Sequence, residues 1–499
     1  MVKDGISPYV VFSFLVNACM GIGFLALPYS SLRFGLIASL IVTILLGILA
    51  TLSALWIATT LSLAWALSRS NKLHADSDAT ARVPIATKSS ERGDRDKDDD
   101  QFEIGHSMQM SYVKLIGMLF GDELQNVTMS ALAFVLVISM WSFAAIFASS
   151  MAAIVPAPFI GGTCDVYDDW EDDTCASRYY LYLAIFAMMM SLLSLAHLAE
   201  QQKFQLAMTL CRICLVVAIV GDCMRMATME EAPPHPGMRQ EEASHIVPVG
   251  GRSSVARYDP DRWPSVPSPL QTNAWRGCHH IALATAALTV HMIIPDAVHD
   301  LTDKRKTLLP TIGSALAFCT FVYCIISIAV VMTFGKWTRP VCTLNWVNYT
   351  AGEPTASAFA MTFRTVVILI PVLDVTAAYP ILSQSLAANV SSVLWPANTD
   401  RSTWYLRLLC SLIPLIGASF VYNAAQTLGW CGVLLVPFVF ILPQLLLEKA
   451  ERLCVSEFGE KKVHASVYWR WYCNRNLVLG GLCFGSVLSV VSFFEVLGG

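Results

Sequence analysis

Apolar residues run along this chain in long unbroken stretches, and polar residues gather between them. The stretches do not alternate with period two, which argues against a barrel of membrane strands. Each is close to the length that an α-helix needs to cross the hydrocarbon core of a bilayer. The pattern predicts eleven spans, at 9–33, 36–67, 125–154, 179–199, 204–227, 279–299, 308–334, 357–386, 404–422, 427–447 and 475–497. Helix is dictated by the solvent, because a backbone amide in lipid needs its partner within the same segment. The expected fold class is therefore an all-α polytopic membrane protein.

The spans and their connections divide the chain into seven regions. Residues 1–67 hold spans 1 and 2. Residues 68–123 form a loop that reads as disordered through "SERGDRDKDDD" and amphipathic near its end. Spans 3 to 5 occupy 124–227, a Pro-rich charged loop occupies 228–277, and spans 6 to 10 occupy 278–447. A charged and aromatic loop at 448–474 leads to the last span at 475–499. Composition fits this reading. Only 14% of the 499 residues are charged, against about 25% in soluble domains. The 15 cysteines fall mostly within apolar runs and read as small packing residues. The first run starts near Tyr9, with only Lys3 ahead of it, and leads straight into a second, so no cleavable leader is expected.

Basic residues in short loops set orientation. Lys304, Arg305 and Lys306 follow span 6, and Lys449, Arg452, Lys461, Lys462, Arg470 and Arg475 flank the last loop. Those loops share a side with Arg69 and Lys72, which places the N-terminus in the cytosol and the C-terminus outside. On the outer side, Cys164 and Cys175 are placed to close a small disulfide, and Cys278 and Cys342 are a second candidate pair. Asn348 in "NYT" is the expected glycosylation site; Asn126 and Asn389 match the sequon but lie inside or at helix ends. The host membrane is either the plasma membrane or an endomembrane such as the lysosome or vacuole.

One span is interrupted. "LVNACMGIGFLALPYSSLRFG", residues 15–35, carries Asn17, Gly21, Gly23 and Pro28 within an apolar run. Irregular backbone at membrane depth is tolerated where it lines a cavity or is buried in protein. In transporters, half-helix N-termini face anionic substrate groups, and free carbonyls face cations. Close helix packing through small residues is the plainer alternative.

The pattern Asn17-x-x-x-Gly21-x-Gly23-x-Leu25-x-Leu27-Pro28, followed by Gly35, resembles the first span of the amino acid/auxin permease family. "SYVKLIGMLFG" (111–121), "TVHMIIPDAVHDLTDKRKTLLPT" (289–311), "VVMTFGKW" (330–337) and "LIPVLDVTAAYPILSQSL" (369–386) resemble its later segments in the same order. "FEIGHSMQM" (102–110), "YLYLAIF" (180–186) and "CTLNW" (342–346) resemble its transmembrane protein 104 branch in particular. The resemblance implies a LeuT-like fold: spans 1–5 and 6–10 as inverted repeats, with an eleventh helix appended. Substrate then sits between the broken centres of spans 1 and 6. Asn17, Cys19, Met20, Gly21, Ile22 and Gly23 would line it from span 1, and Thr289, His291 and Met292 from span 6. Leucine at Gly21 is expected to abolish transport without stopping insertion. Span 6 lacks a central glycine, so its break, near Pro295, is expected to be the weaker one.

Ionisable residues within membrane spans are costly and usually functional. Asp374 lies in the middle of span 8. By resemblance, spans 1 and 8 form an ion site there, with Asn17 on one side and Asp374 and Thr376 on the other. The alternative is a buried acid paired with Arg364 or Arg212. His291 suits proton coupling, because histidine titrates near neutral pH. Asp296, His299 and Asp300, beside Asp303, form an acidic cluster suited to gating or simply to solvation. His279 and His280 beside Cys278 lack the second ligand pair that a metal site needs. Gly481-x-x-x-Gly485 reads as a packing motif. No phosphate-binding glycine loop, HExxH or nucleophile elbow is present, so nothing supports a pump driven by nucleotide hydrolysis, and an enzyme is a distant third reading.

The expected function is secondary active transport of amino acids or related small zwitterions by alternating access, coupled to H+ or Na+. No cofactor is expected, the partners are the small solute and the lipid bilayer, and nucleic acid is not among them. A nutrient sensor or scaffold that docks a cytosolic protein at 68–123 is the alternative.

Overall fold

How each apolar run starts, breaks and stops determines the architecture. The computed structural model describes residues 7–21, 23–80, 111–194, 201–229, 274–295, 298, 301, 304–351, 357–394, 404–464, 466 and 468–498. Among these residues the regular structure is helical, with no strand.

Helix α1 (Pro8–Cys19) opens on Pro8, whose missing N–H has no role in a first turn. It ends where the Met20 N–H returns to the Val16 carbonyl, and the axis bends by 49° into α2 (Gly23–Phe34). Span 1 is therefore two half-helices. Pro28 sits inside α2 without ending it. Gly35, at φ 118°, takes a left-handed conformation that favours glycine and turns the chain sharply into α3 (Leu36–Thr80). Residues 68–80, expected within a disordered loop, instead continue α3. Helix formation needs no apolar face once the chain has left the bilayer.

Helix α4 (Tyr112–Phe120) is the amphipathic segment. Ser111 Oγ caps the Lys114 N–H at 3.3 Å, and Tyr112, Val113, Leu115, Ile116 and Leu119 are buried. Then come α5 (Asp122–Ile154), α6 (Asp173–Ser194), α7 (Gln201–Met229) and α8 (Ala274–Ala287). Helix α6 starts earlier than its apolar run because Asp172 accepts from the Thr174 N–H at 3.0 Å and Asp173 favours a helix N-terminus. The rest are α9 (Lys304–Phe334), α10 (Ala358–Leu394), α11 (Trp404–Phe420), α12 (Ala424–Phe440), α13 (Leu442–Phe458), α14 (Glu460–His464) and α15 (Arg475–Gly498). Helix α13 likewise outruns its span and takes up part of the expected 448–474 loop. The end of that loop is tied to α3: Trp56 Nε1 donates to the Tyr472 carbonyl at 2.8 Å, and Thr59 Oγ1 to the Tyr468 carbonyl at 3.1 Å.

Among the described residues, eight helices are long and apolar enough to cross a membrane, nine with the bent pair α1–α2. The eleven expected spans exceed this by the segments at α8 and α11, whose described helices are shorter. Helix α8 packs between α2 and α12, and α1 packs against α9 and α7. The two halves of span 1 and the first half of span 6 thus share the centre. Helix α15 packs on α12 from outside. A Cβ at Gly485 would stand 2.1 Å from the Phe440 carbonyl oxygen, so Gly481-x-x-x-Gly485 does serve close packing. Val487, Val490, Phe493 and Phe494 face outward with helical spacing, as do Ile41, Ile44, Leu45 and Ile48. Apolar stripes of that extent fit a lipid solvent.

The connections 155–172 and 335–351 meet at one end of the bundle. Arg339 pairs there with Asp165 at 3.1 Å and with Asp168. Cys164 and Cys175 lie at bonding distance, 5.8 Å apart at Cα. Asn348 belongs to the same end and is half-buried. Asp222 accepts from Trp346 Nε1 at 2.8 Å and from the Tyr349 hydroxyl, and pairs with Arg225 at 3.1 Å. Cys278 and Cys342 are not joined.

Candidate functional site

The two breaks face each other. Span 6 ends its helix at Ala287, well before Pro295, so its break is a full one rather than the weak kink expected. Thr289 Oγ1 back-bonds to the Thr285 carbonyl at 2.7 Å, and β-branched residues at 289, 290, 293 and 294 disfavour continuation. Pro295 has no N–H to return to the preceding turn. Gly23, at the start of α2, lies against this end. A Cβ added there would stand 3.0 Å from the Ala287 Cβ. Gly21 is different: its nearest neighbour would be the Ala18 carbonyl oxygen at 3.8 Å. Gly23 is thus the glycine that the contact between breaks requires.

A tyrosine joins the same two ends. The Tyr323 hydroxyl of α9 donates toward the carbonyls of Cys19 at 2.7 Å and Ala287 at 2.9 Å, the last residues of α1 and α8. Helix C-termini leave carbonyls without intrahelical partners. One phenol serves both. Cys19 also shares a thiol hydrogen bond with Cys319, one turn before Tyr323. Met20 is fully buried beside them.

The second feature is an arginine between spans 1, 5 and 8. Arg212 Nη1 of α7 donates to the Asn17 carbonyl at 2.9 Å and to its side-chain oxygen, and Nη2 pairs with Asp374 of α10. Both charged side chains are 6% exposed. Between the two partners first weighed for Asp374, the structure selects Arg212; Arg364 instead reaches the Val347 carbonyl. The guanidinium engages the span 1 carbonyl and the span 8 carboxylate that were expected to hold an ion. Arg212 Nε has no hydrogen-bond partner among the described residues. Thr376 turns its hydroxyl to the Val372 carbonyl at 2.7 Å, within its own helix.

His291 shares a hydrogen bond of 2.6 Å between Nε2 and Ser53 Oγ of α3, and its buried Nδ1 has no hydrogen-bond partner among the described residues. The ring is therefore anchored on span 2. Met292 is half-buried and packs with Val135, Ile138, Cys431 and Leu435 of α5 and α12. His280 bonds Ser30, Thr43 and the Ser39 carbonyl at 2.9–3.1 Å, which explains it as a pin between α8, α2 and α3. Ile22, Asp296, His299 and Asp300 lie outside the described residues. Tyr323 was missed because a tyrosine in an apolar run is unremarkable as a sequence signal. Its hydroxyl, a polar group that needs a buried partner, is the only hint.

A family model described as transmembrane amino acid transporter protein matches residues 100–453. The fold resembles that of Mhp1, a nucleobase-cation-symport-1 family transporter, in a closed conformation with bromovinylhydantoin bound. That likeness has a TM-score of 0.52 and 10% identity, and covers 99% of this chain and 91% of that one. It also resembles MhsT in complex with L-phenylalanine, with a TM-score of 0.53 and 10% identity over 97% of this chain and 98% of that one. No curated protein matches the sequence.

Proposed function

The chain belongs to the transmembrane amino acid transporter family and is a secondary active transporter of LeuT-like fold, and from that premise we propose how it selects and drives its substrate. The substrate is an amino acid or related small zwitterion. Its carboxylate meets the N-terminal amides of α2, where the half-helix dipole favours negative charge. Its ammonium takes the carbonyl ends of α1 and α8 at Cys19 and Ala287, which the Tyr323 hydroxyl holds until substrate arrives. Substrate must then part a contact as close as that of Gly23 with Ala287, so binding and opening of the breaks are one event.

Coupling is to protons rather than sodium. The observation that carries this reading is Arg212, whose guanidinium sits on both the Asn17 carbonyl and Asp374. A cation bound by covalent attachment leaves no room or charge for a mobile sodium ion between spans 1 and 8. Transient protonation of Asp374 would release Arg212 from span 8 and let spans 1 and 5 move relative to it. The disulfide Cys164–Cys175 and the glycan at Asn348 then belong to the non-cytosolic end. The sensor alternative is not favoured: α4, near the C-terminal end of the 68–123 loop, spends its apolar face on the bundle, with the Tyr112 hydroxyl on the Phe438 carbonyl at 3.0 Å, and residues 81–110 lie outside the described residues.

The test is uptake by proteoliposomes, with a panel of labelled amino acids and imposed gradients. Uptake of at least one amino acid, raised by a proton gradient and indifferent to sodium, is expected. Uptake driven by sodium at constant pH overturns the coupling assignment, and no uptake of any amino acid overturns the substrate class.

A further inference from the structure

Away from the breaks, α13 and α15 diverge around a cavity of about 250 Å³. Its two halves differ in chemistry. The inner half is walled by Leu447 of α13 and by Val478 and Leu482 of α15, with Leu479 exposed at its flank. Gln444 stands there alone as a polar group, 2% exposed, and its Oε1 has no hydrogen-bond partner among the described residues. A Cβ at Gly481 would meet Gln444 Nε2 at 3.0 Å, which places the amide against α15. The mouth carries Glu448, Glu451 and Glu460 with Arg452 and Arg475. Arg452 is paired with Glu448, and His464 with Glu451 at 3.1 Å. Arg475, at the first turn of α15, is exposed and has no ion-pair partner among the described residues.

A buried amide left unpartnered is costly, and such a group calls for an occupant. The cavity is amphipathic along its length, so a free polar solute would leave the inner half unmatched. Leu477, Leu479 and Phe484 are exposed beside it, so its flank opens on the lipid-facing side of the last span. The occupant therefore comes from the bilayer. Its head group must suit a mouth that carries three carboxylates, two of them already paired within the protein, and must offer an anion to Arg475. An ammonium with N–H groups does the first, whereas a trimethylammonium has no N–H to give. A purely anionic head group would meet Arg475 but would bring no cation of its own to the three carboxylates.

We propose that this cavity binds one phosphatidylethanolamine, with its ammonium among Glu448, Glu451 and Glu460 and its phosphate on Arg475. The glycerol ester region meets the Gln444 amide, which can donate or accept by rotating. The upper acyl chain lies along Val478, Leu479 and Leu482. The site is independent of the substrate assignment at the breaks.

The test is native mass spectrometry of the purified full-length protein in detergent, with phosphatidylethanolamine, phosphatidylcholine and phosphatidylglycerol of matched chains. One phosphatidylethanolamine per protein is expected, bound about tenfold more tightly than phosphatidylcholine. Arg475→Gln and Gln444→Leu each lower its occupancy at least fivefold. Glu460→Gln alters an exposed side chain that folding does not need, and it narrows the ethanolamine-over-choline preference about threefold. Equal binding of the three lipids, binding unchanged in all three variants, or displacement of lipid by a free amino acid overturns the assignment.

Discussion

Replacing Tyr323 with phenylalanine removes one oxygen and leaves the ring. That oxygen lies 2.7 Å from the Cys19 carbonyl and 2.9 Å from the Ala287 carbonyl. A phenol has one proton, so it satisfies one carbonyl fully or shares itself between two. Its removal strands one carbonyl's worth of bonding at a buried site, at a cost of about 1–3 kcal/mol. For a chain of this size that lowers the melting temperature by roughly 1–3 °C. Transport should move the opposite way. In free protein the hydroxyl competes with the substrate ammonium for the same carbonyls, and a net hydrogen bond is worth about 1 kcal/mol. With tenfold per 1.4 kcal/mol, KM should fall about fivefold, while kcat stays within about twofold. Initial rates of uptake into proteoliposomes give KM and kcat, and melting is measured on the same preparation. A lower melting temperature with an unchanged or raised KM would make Tyr323 a structural pin only, and would refute the competition.

Gly23→Val should abolish uptake in folded, monodisperse protein, because its Cβ meets Ala287 at 3.0 Å, whereas Gly21→Ala should retain uptake. The reverse order, in the same assay and with size exclusion as the folding control, would move the critical contact to Gly21. Arg212→Met alone strands the buried Asp374 and should cost about 3–5 kcal/mol, while Arg212→Met with Asp374→Leu should recover most of the melting temperature but no proton-driven uptake. Cys164→Ser with Cys175→Ser should destabilise that end of the bundle by about 3 kcal/mol, and reducing agent should lower the melting temperature of the parent protein but not of this variant. Burial lifts the Asp165 carboxyl above its ordinary range, with Arg339 pulling the other way. A raised folded-state value means that the stabilising form is the protonated one, so this contribution is present at acid pH and is lost as pH rises through that value. Melting followed from acid to neutral pH should therefore fall more steeply in the parent than in Asp165→Asn.

Much of the fold was legible because lipid leaves the backbone so few choices. Continuous apolar runs had to be helices, and Gly21 to Gly23 marked a helix that would not continue. Helix ends were less legible. Helices α3 and α13 run on past their apolar stretches, since water tolerates a polar helix that lipid would reject. The break in span 6 was located at Pro295 because proline is the visible breaker. It lies at Ala287, where side-chain back-bonding and β-branching act together without any single conspicuous residue.

The site divides along the same line. Asp374 and Arg212 stand out in sequence because each is a charge in an apolar run, and charge in lipid demands a reason. That they meet, with Asn17 as the third party, is a matter of packing between segments 162 and 195 positions apart. The consequence for mechanism is larger than the pairing itself. A carbonyl and a carboxylate that converge from spans 1 and 8 attract a cation whatever its source. When that cation diffuses, its gradient can do work; when it is tethered as Arg212, it cannot leave, and only the charge of its partner can change. Protonation of Asp374 would leave Arg212 without its carboxylate partner, and on the proposed reading that is the change that loosens the contact between α7 and α10. Asp374→Asn fixes that neutral state. If the reasoning holds, the variant exchanges substrate across the membrane at equal concentrations yet cannot accumulate it against a gradient.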